Sequence, residues 1–350
     1  METPLLKEKT IADSISLEIL TSRITLPPIP TNGAKLLDMV QQSTDKIDIS
    51  SFAKLVEVDP GLLARVLQLA NSPYYSEVQE IVSLRSAITR IGLREAINSV
   101  CLHFFQKILP KVPALEGFSA KDYWAFSWAC ATANRRLGHP NLRMGVLPGE
   151  LYLAGLLHGM GKLLMAMHSP NEFSKCLSMA RELNQPLYKM EQEVFGTTDA
   201  FVAARIMEVW HLPANICAGV AFYQMPESAP VQYREIAGLT QFAHCIATLS
   251  GIGINGDGLL MDLSSTYMGQ QSNLLISRKE IQEKLVQEIL ATLSEKSESV
   301  TGVAAISQTK SLEQADLKQE RPAKNPLPVT RTDHKKKGLL AWIRSLLGGD

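Results

Sequence analysis

The chain has 350 residues, and its 35 Lys+Arg are balanced by 35 Asp+Glu, so its formal charge is zero. That balance excludes a surface given over wholly to nucleic acid, which would read strongly basic, and the length suits about two domains, or one large domain with appendages. Apolar residues make up 45% and aromatics only 6%, a Leu-, Ile-, Ala- and Val-rich composition that favours helices over a β-sandwich.

The first residues, METPLLKEKTIADS, are charged and lack a continuous apolar stretch, so they do not read as a signal peptide. Ile11, Ile15, Leu17 and Leu20 recur at roughly helical spacing and predict a helical extension over 1–22. The LPPIP run at 26–30 stops it, because proline lacks the N–H and clashes with the preceding turn. From Thr31 to Leu109 the apolar period is about 3.6. Phe52, Leu55 and Val56 give a short helix over 48–58. Asp59 then caps a helix that starts at Pro60 and runs to Asn71. Ser83 caps a third segment, Gly92 breaks it, and Leu93–Ile108 follows, closed by Pro110. Residues 111–118 read as a turn, and Asp122–Leu137 as an Ala-rich helix.

Glu150–His168 is apolar nearly all round and predicts one continuous, central buried helix. Helical periods continue over 171–184, 187–194, 198–211, 213–223, 232–250 and 278–294. No stretch alternates as a strand does, so the fold class is all-α. The glycine-rich GIGINGDG at 251–258 follows a helix rather than a strand, and reads as a flexible loop rather than a phosphate cradle. The five cysteines, Cys101, Cys130, Cys176, Cys217 and Cys245, are widely spaced with no CxxC, which argues against a disulfide framework or a structural zinc site. No window approaches 18 uninterrupted apolar residues, so no spanning helix is expected, and the expected location is the cytoplasm.

The texture changes at Glu295. Residues 295–337 carry few large apolar side chains and predict a disordered linker. Beyond it, Leu339, Trp342, Ile343, Leu346 and Leu347 form a stripe at i, i+3, i+4, i+7, i+8 on a short amphipathic helix over 338–348. Lys335, Lys336 and Lys337 stand beside it. The last fifty residues hold nine Lys+Arg against five Asp+Glu, so a basic end offsets a mildly acidic body. Such a tail suits docking in a partner's groove, contact with the anionic inner-membrane surface, or packing back on its own domain. The lysine run lacks interleaved aromatics, so no nucleic-acid contact is expected.

The catalytic accent lies in LLHGMGK (156–162). It resembles the HD superfamily signature, in which adjacent His and Asp ligate a metal ion that activates water for phosphoester hydrolysis. LPPIPTNGAKLLDMV (26–40), VDPGLLARVLQLANSPYY (58–75), SLRSAITRIGLREAINSV (83–100), LYLAGLLHGMGKLLM (151–165) and FGTTDAFVAARIMEVWHLPANICAGVAFYQMPE (195–227) resemble, in order, the blocks of the HDOD (HD-related output domain) family. The resemblance implies an HDOD domain over 23–225, completed by helices over 226–294. It also implies that the metal-site positions have degenerated: Phe126 stands for the first histidine, His158 with Gly159 for the His-Asp dyad, Asp199 for a helix-start histidine, and His244 for the last aspartate. Paired histidines before a proline align near Phe222, Tyr223 and Gln224. A phenylalanine cannot bind a metal, and a lone imidazole does not hold a hard divalent ion. His158 therefore reads as a hydrogen-bonded core histidine, with no metal, no cofactor and no catalytic residue expected. The resemblance implies a non-catalytic signalling module. Its partner acts in trans, as a histidine kinase, a response regulator or a protein of cyclic-di-GMP turnover. The alternatives are residual HD-type phosphohydrolase activity and metal-free nucleotide sensing.

Overall fold

The computed structural model describes residue 24 and residues 28–75, 79–109, 111–139, 142, 144–256, 262–272 and 274–302. The expected helical extension over 1–22, most of the linker and the tail stripe with its lysines lie outside them. Among the described residues the chain is helical throughout, without strands; an isolated bridge pairs Leu115 with Phe118.

The first half follows the local signals. Helix α1 (Thr31–Gln41) starts directly after Pro30, and α2 (Ile49–Glu57) is capped by Asp48, whose carboxylate accepts from the backbone N–H groups of Ser50 and Ser51. Helix α3 (Pro60–Ala70) has Asp59 at the N-cap and proline in the first turn. Ser83 caps α4 (Leu84–Ile91) by accepting from the Ser86 N–H. Gly92 has φ +85°, so it ends α4 and turns the chain into α5 (Leu93–Ile108) at the cost only glycine avoids. Ser119 caps α6 (Ala120–Leu137), which is buried along most of its length.

The centre departs from expectation. Glu150–His168 is two helices, α7 (Pro148–Leu157) and α8 (Met160–His168), parted at His158-Gly159. Continuous apolarity signals burial but carries no information about direction, so the break leaves no trace in the pattern. It follows from packing: a Cβ on Gly159 would stand 3.1 Å from the Tyr123 ring, and one on Gly155 would stand 2.7 Å from the Ala131 Cα. These close approaches seat α7 against α6.

The rest of the body is α9 (Pro170–Leu183), α10 (Leu187–Phe195), α11 (Asp199–Val209), α12 (Ala214–Ala221), α13 (Arg234–Ser250) and α14 (Lys279–Thr301). Helix α6 is the axis, with α7, α13 and α14 packed around it, and α12 joins α7 to α13. Buried Asn134 on α6 ties three of these together, donating to Leu151 O (2.9 Å) and to Thr240 Oγ1 (3.0 Å). One contiguous apolar cluster runs from Ile24 to Val300, so residues beyond 226 complete the same core.

Two further expectations are corrected. Helix α14 continues to Thr301, so 295–301 is helix rather than linker. Its buried face reads Val286, Ile289, Leu293, Ser297, Val300, and the small polar Ser297 hides the period. Lys296 pins this end: its Nζ lies 3.9 Å from Glu95 and 5.3 and 5.5 Å over the rings of Tyr74 and Tyr75. The glycine-rich loop is also packed down over 251–256. Ile252 is fully buried, Ile254 N–H donates to Asp122 O (3.3 Å), and Gly253, at φ +65°, has Asp122 O 2.1 Å from where a Cβ would sit. No helix among the described residues is long and apolar enough to cross a membrane.

Candidate functional site

The break between α7 and α8 places His158 at the C-terminal end of α7, 1% exposed. Its Nδ1 lies 2.7 Å from Gly155 O and its Nε2 lies 3.0 Å from His244 Nδ1 on α13. His244 Nε2 in turn lies 3.2 Å from Asn255 Nδ2. These contacts dictate the tautomers. A carbonyl only accepts, so His158 Nδ1 carries the proton and Nε2 is the acceptor. His244 Nδ1 then donates to it, leaving His244 Nε2 to accept from the Asn255 amide. The result is a directed chain, Asn255 to His244 to His158 to Gly155, with both imidazoles neutral.

Burial enforces that neutrality. Desolvation pulls His158 down to about 3, and Lys162 pushes the same way against the Gly155 hydrogen bond. Desolvation, His158 and Lys162 hold His244 well below its usual value. The Phe126 ring closes the apolar side, 6.0 Å from the His158 ring and 5.1 Å from that of His244, and Tyr223 stands edge-on to His158 at 4.9 Å.

A second arm carries the charge. Asp199, in the first turn of α11, is fully buried, and its N–H donates to Glu191 Oε2 (2.9 Å). Gln224 Nε2 donates to Asp199 Oδ1 (2.9 Å) and to the Tyr223 hydroxyl (3.1 Å), which joins this arm to the histidines. Glu191 is also fully buried. Desolvation and the neighbouring Asp199 carboxylate push it well above the usual carboxylate range, against the pull of Lys162.

The five predicted positions therefore converge. Phe126, His158 and His244 touch, Gly159 forms the break beside Tyr123, and Asp199 reaches them through Gln224 and Tyr223. Three members have no local signature. Asn255 sits in a loop that reads as flexible. Glu191 meets Asp199 only because Gly196, left-handed at φ +67°, turns α10 back on α11. Lys162 reads as the end of a glycine turn until the fold buries it.

All four imidazole nitrogens are engaged, and Gln224 donates to Asp199 Oδ1, while Asp199 Oδ2 and Glu191 Oε1 are buried without a partner. Among the described residues no group of three or more His, Cys, Asp or Glu could hold a metal ion. The donor set does not fit the hard divalent ion of an HD-type centre, which needs free carboxylates and imidazole lone pairs. A histidine with a pKa near 3 is also a weak general base at neutral pH. A surface cleft of about 670 Å³ opens elsewhere, between Leu37 of α1 and Trp210–Pro213 after α11, and includes none of these residues.

Comparison with known proteins gives a consistent picture. Residues 26–226 match the HDOD domain family. An HDOD domain protein of unknown function from Geobacter sulfurreducens has a similar structure, with TM-score 0.65 and 25% identity over 81% of this chain and 97% of its own. A Shewanella amazonensis SB2B protein that carries a phosphohydrolase name superposes with TM-score 0.58 and 25% identity, over 82% of this chain and 97% of its own. An uncharacterized protein of Treponema pallidum (strain Nichols) is 23% identical over 232 residues, 62% of this chain. The match spans 41% of that curated relative's length.

Proposed function

The chain belongs to the HDOD domain family, and on that premise we propose that it is a regulatory protein without hydrolytic activity, acting by contact with a signalling protein supplied in trans. The observation that carries the reading is the closed chain from Asn255 to Gly155, which occupies the imidazole lone pairs a metal would need. The competing reading, a metal-dependent phosphohydrolase, has the Shewanella relative's name in its favour. It requires Phe126 and Gly159 to stand where ligands should be, and both imidazoles to abandon buried hydrogen bonds. Purified protein with Mg²⁺ or Mn²⁺ should give no hydrolysis of nucleotides or cyclic dinucleotides above the protein-free rate. Turnover that His158→Ala abolishes would overturn the assignment.

The tail supplies the docking element of this proposal. Lys335, Lys336 and Lys337 precede a stripe of Leu339, Trp342, Ile343, Leu346 and Leu347. Burying such a stripe could contribute on the order of 7–10 kcal/mol gross, much of it offset by ordering about ten residues, which suits a reversible contact. Deleting residues 335–350 should remove proteins from an affinity pull-down, or weaken flotation with anionic liposomes. Identical behaviour of the truncated and full chains in both assays would sink the docking role.

A further inference from the structure

The cleft between α1 and the turn after α11, about 670 Å³, is lined chiefly by apolar side chains, among them Ile29, Leu37, Val209, Leu212 and Pro213. Val209 is 59% exposed, so part of the lining is an open aliphatic surface. A strained turn builds the adjoining part. Helix α11 ends in a Schellman turn, with His211 N–H donating to Glu208 O (2.9 Å) and Leu212 N–H to Met207 O (3.0 Å). His211 takes the left-handed place in that turn at φ +59°, where glycine is usual. Backbone held there by a residue with a side chain costs free energy, and such residues cluster at ligand clamps and switch regions.

Charge marks the occupant. Among the described residues that line the cleft, Asp38 alone carries a formal charge, and no lysine or arginine does. Glu150 stands at the edge: Gly149 packs on the backbone of Val40 and Gln41, and Asn215, just past Pro213, donates to Glu150 Oε1 (3.2 Å). An apolar cleft with acidic groups at its border suits a basic amphipathic segment. The chain carries one. Residues 335–349 hold Lys335, Lys336, Lys337 and Arg344 and no acidic residue, beside the stripe of Leu339, Trp342, Ile343 and Leu346.

Reach allows the contact. The described chain ends at residue 302, 37 residues before Leu339. That length spans about 55 Å even if wholly helical and up to about 130 Å extended. The distance to cover is short, because α5 lies between the end of α14 and the cleft. His103 and Gln106 of α5 meet Val300 and Thr301 of α14, while Phe105 packs 6.1 Å from the Trp210 ring and Phe104 lies against Gly33 of α1. A helix is about 10–12 Å across. Such a linkage holds the stripe near the cleft at an effective concentration on the order of millimolar.

We propose that the chain's own C-terminal stripe seats in this cleft, so that the tail is held in cis until a partner withdraws it. The proposal rests on the tail's docking role and adds where that element sits when no partner holds it. Photo-crosslinking of the purified full chain tests it. With p-benzoylphenylalanine at Val209, irradiation and peptide mass spectrometry should show cross-links to residues 338–348. Mixing isotope-labelled and unlabelled copies should show that they form within one chain. Trp342→Ala should lower the yield about fivefold or more, as loss of an aromatic anchor does. Asp38→Lys should lower it about twofold or more, and Glu57→Lys, outside the cleft, should leave it unchanged. Should the Val209 variant fail to fold by circular dichroism, Gln41 carries the probe. Cross-links to residues 1–22 instead, cross-links only between differently labelled copies, no cross-link, or a yield unmoved by Trp342→Ala would overturn the proposal. The readout needs neither partner nor substrate, so its failure is separate from failure of the pull-down or of the hydrolysis assay.

Discussion

Gly161→Ala is expected to destabilise the protein by about 3 kcal/mol or more, at the upper end of what overpacking costs. A Cβ at this position would sit 2.0 Å from the Asp199 carbonyl oxygen and 2.6 Å from its carbonyl carbon. Both are backbone atoms at the start of α11, so no side-chain rotation relieves the clash. Helix α8 must move away from α11. That movement pulls Lys162 from the pocket and disturbs the Asp199 N–H bond to Glu191 (2.9 Å), adding the cost of unsatisfied buried polar groups. The control is Gly145→Ala, whose Cβ would meet nothing closer than Glu235 Oε2 at 3.5 Å. That change should be near neutral, because alanine also restricts the unfolded chain. Urea denaturation of both variants reads the difference; equal stabilities would mean that α8 and α11 do not meet as closely as described.

The second large effect is a pH dependence with opposing parts. His158 keeps its proton affinity down at about 3 in the folded protein, against an ordinary 6.5. Its folded pKa is depressed and it is a base, so the unfolded chain binds the extra proton, and stability present above pH 6.5 is lost as pH falls. Between pH 7 and pH 5 this amounts to about 2 kcal/mol for His158, at 1.36 kcal/mol per unit of pH below 6.5. His244, also held below its usual value by burial, His158 and Lys162, adds to the loss in the same direction. The lowered His103 and His168 contribute in the same direction. Glu191 opposes them. Its folded pKa is raised, so it favours the folded state at low pH, and that contribution is lost as pH rises from about 4.5 through the folded value.

Glu191→Gln separates the two, since the amide oxygen can still accept the Asp199 N–H and no longer titrates. The variant should lose about 2 kcal/mol or more between pH 7 and pH 5, while the wild type loses less. The gap between them should favour the variant increasingly as pH rises above 4.5. Urea titrations at several pH values measure both trends. A variant whose stability stays flat from pH 7 to 5 would mean that the native histidines protonate freely, and the neutral chain would be wrong.

The neutral chain also marks where sequence reading reaches its limit. The caps at Asp59 and Ser83, and the glycine stop at Gly92, are local events, settled by side-chain oxygens and backbone N–H groups within three residues of each other. They are legible in the amino-acid sequence alone, as is the all-α class. The family resemblance places Phe126, His158 and His244, because ordered sequence blocks align positions without needing their geometry. What these residues do to one another is not legible there: His158 and His244 lie 86 residues apart, and whether two imidazoles hydrogen-bond or repel depends on tautomers set by Gly155 and Asn255.

Zero net charge bounds the function classes, and periodicity and capping determine where most helices begin and end, since both depend on near neighbours. Tertiary structure decides the rest. It cuts the apolar run at His158-Gly159, carries α14 to Thr301 through the buried Ser297, and folds the 251–256 loop down so that Asn255 can reach His244. Each depends on what lies across the interface: a tyrosine ring against Gly159, a backbone carbonyl against Gly161 and another against Gly253. Residues distant along the chain supply those surfaces, and burial by them pulls His158 and His244 below the ordinary histidine value and pushes Glu191 above the usual carboxylate range.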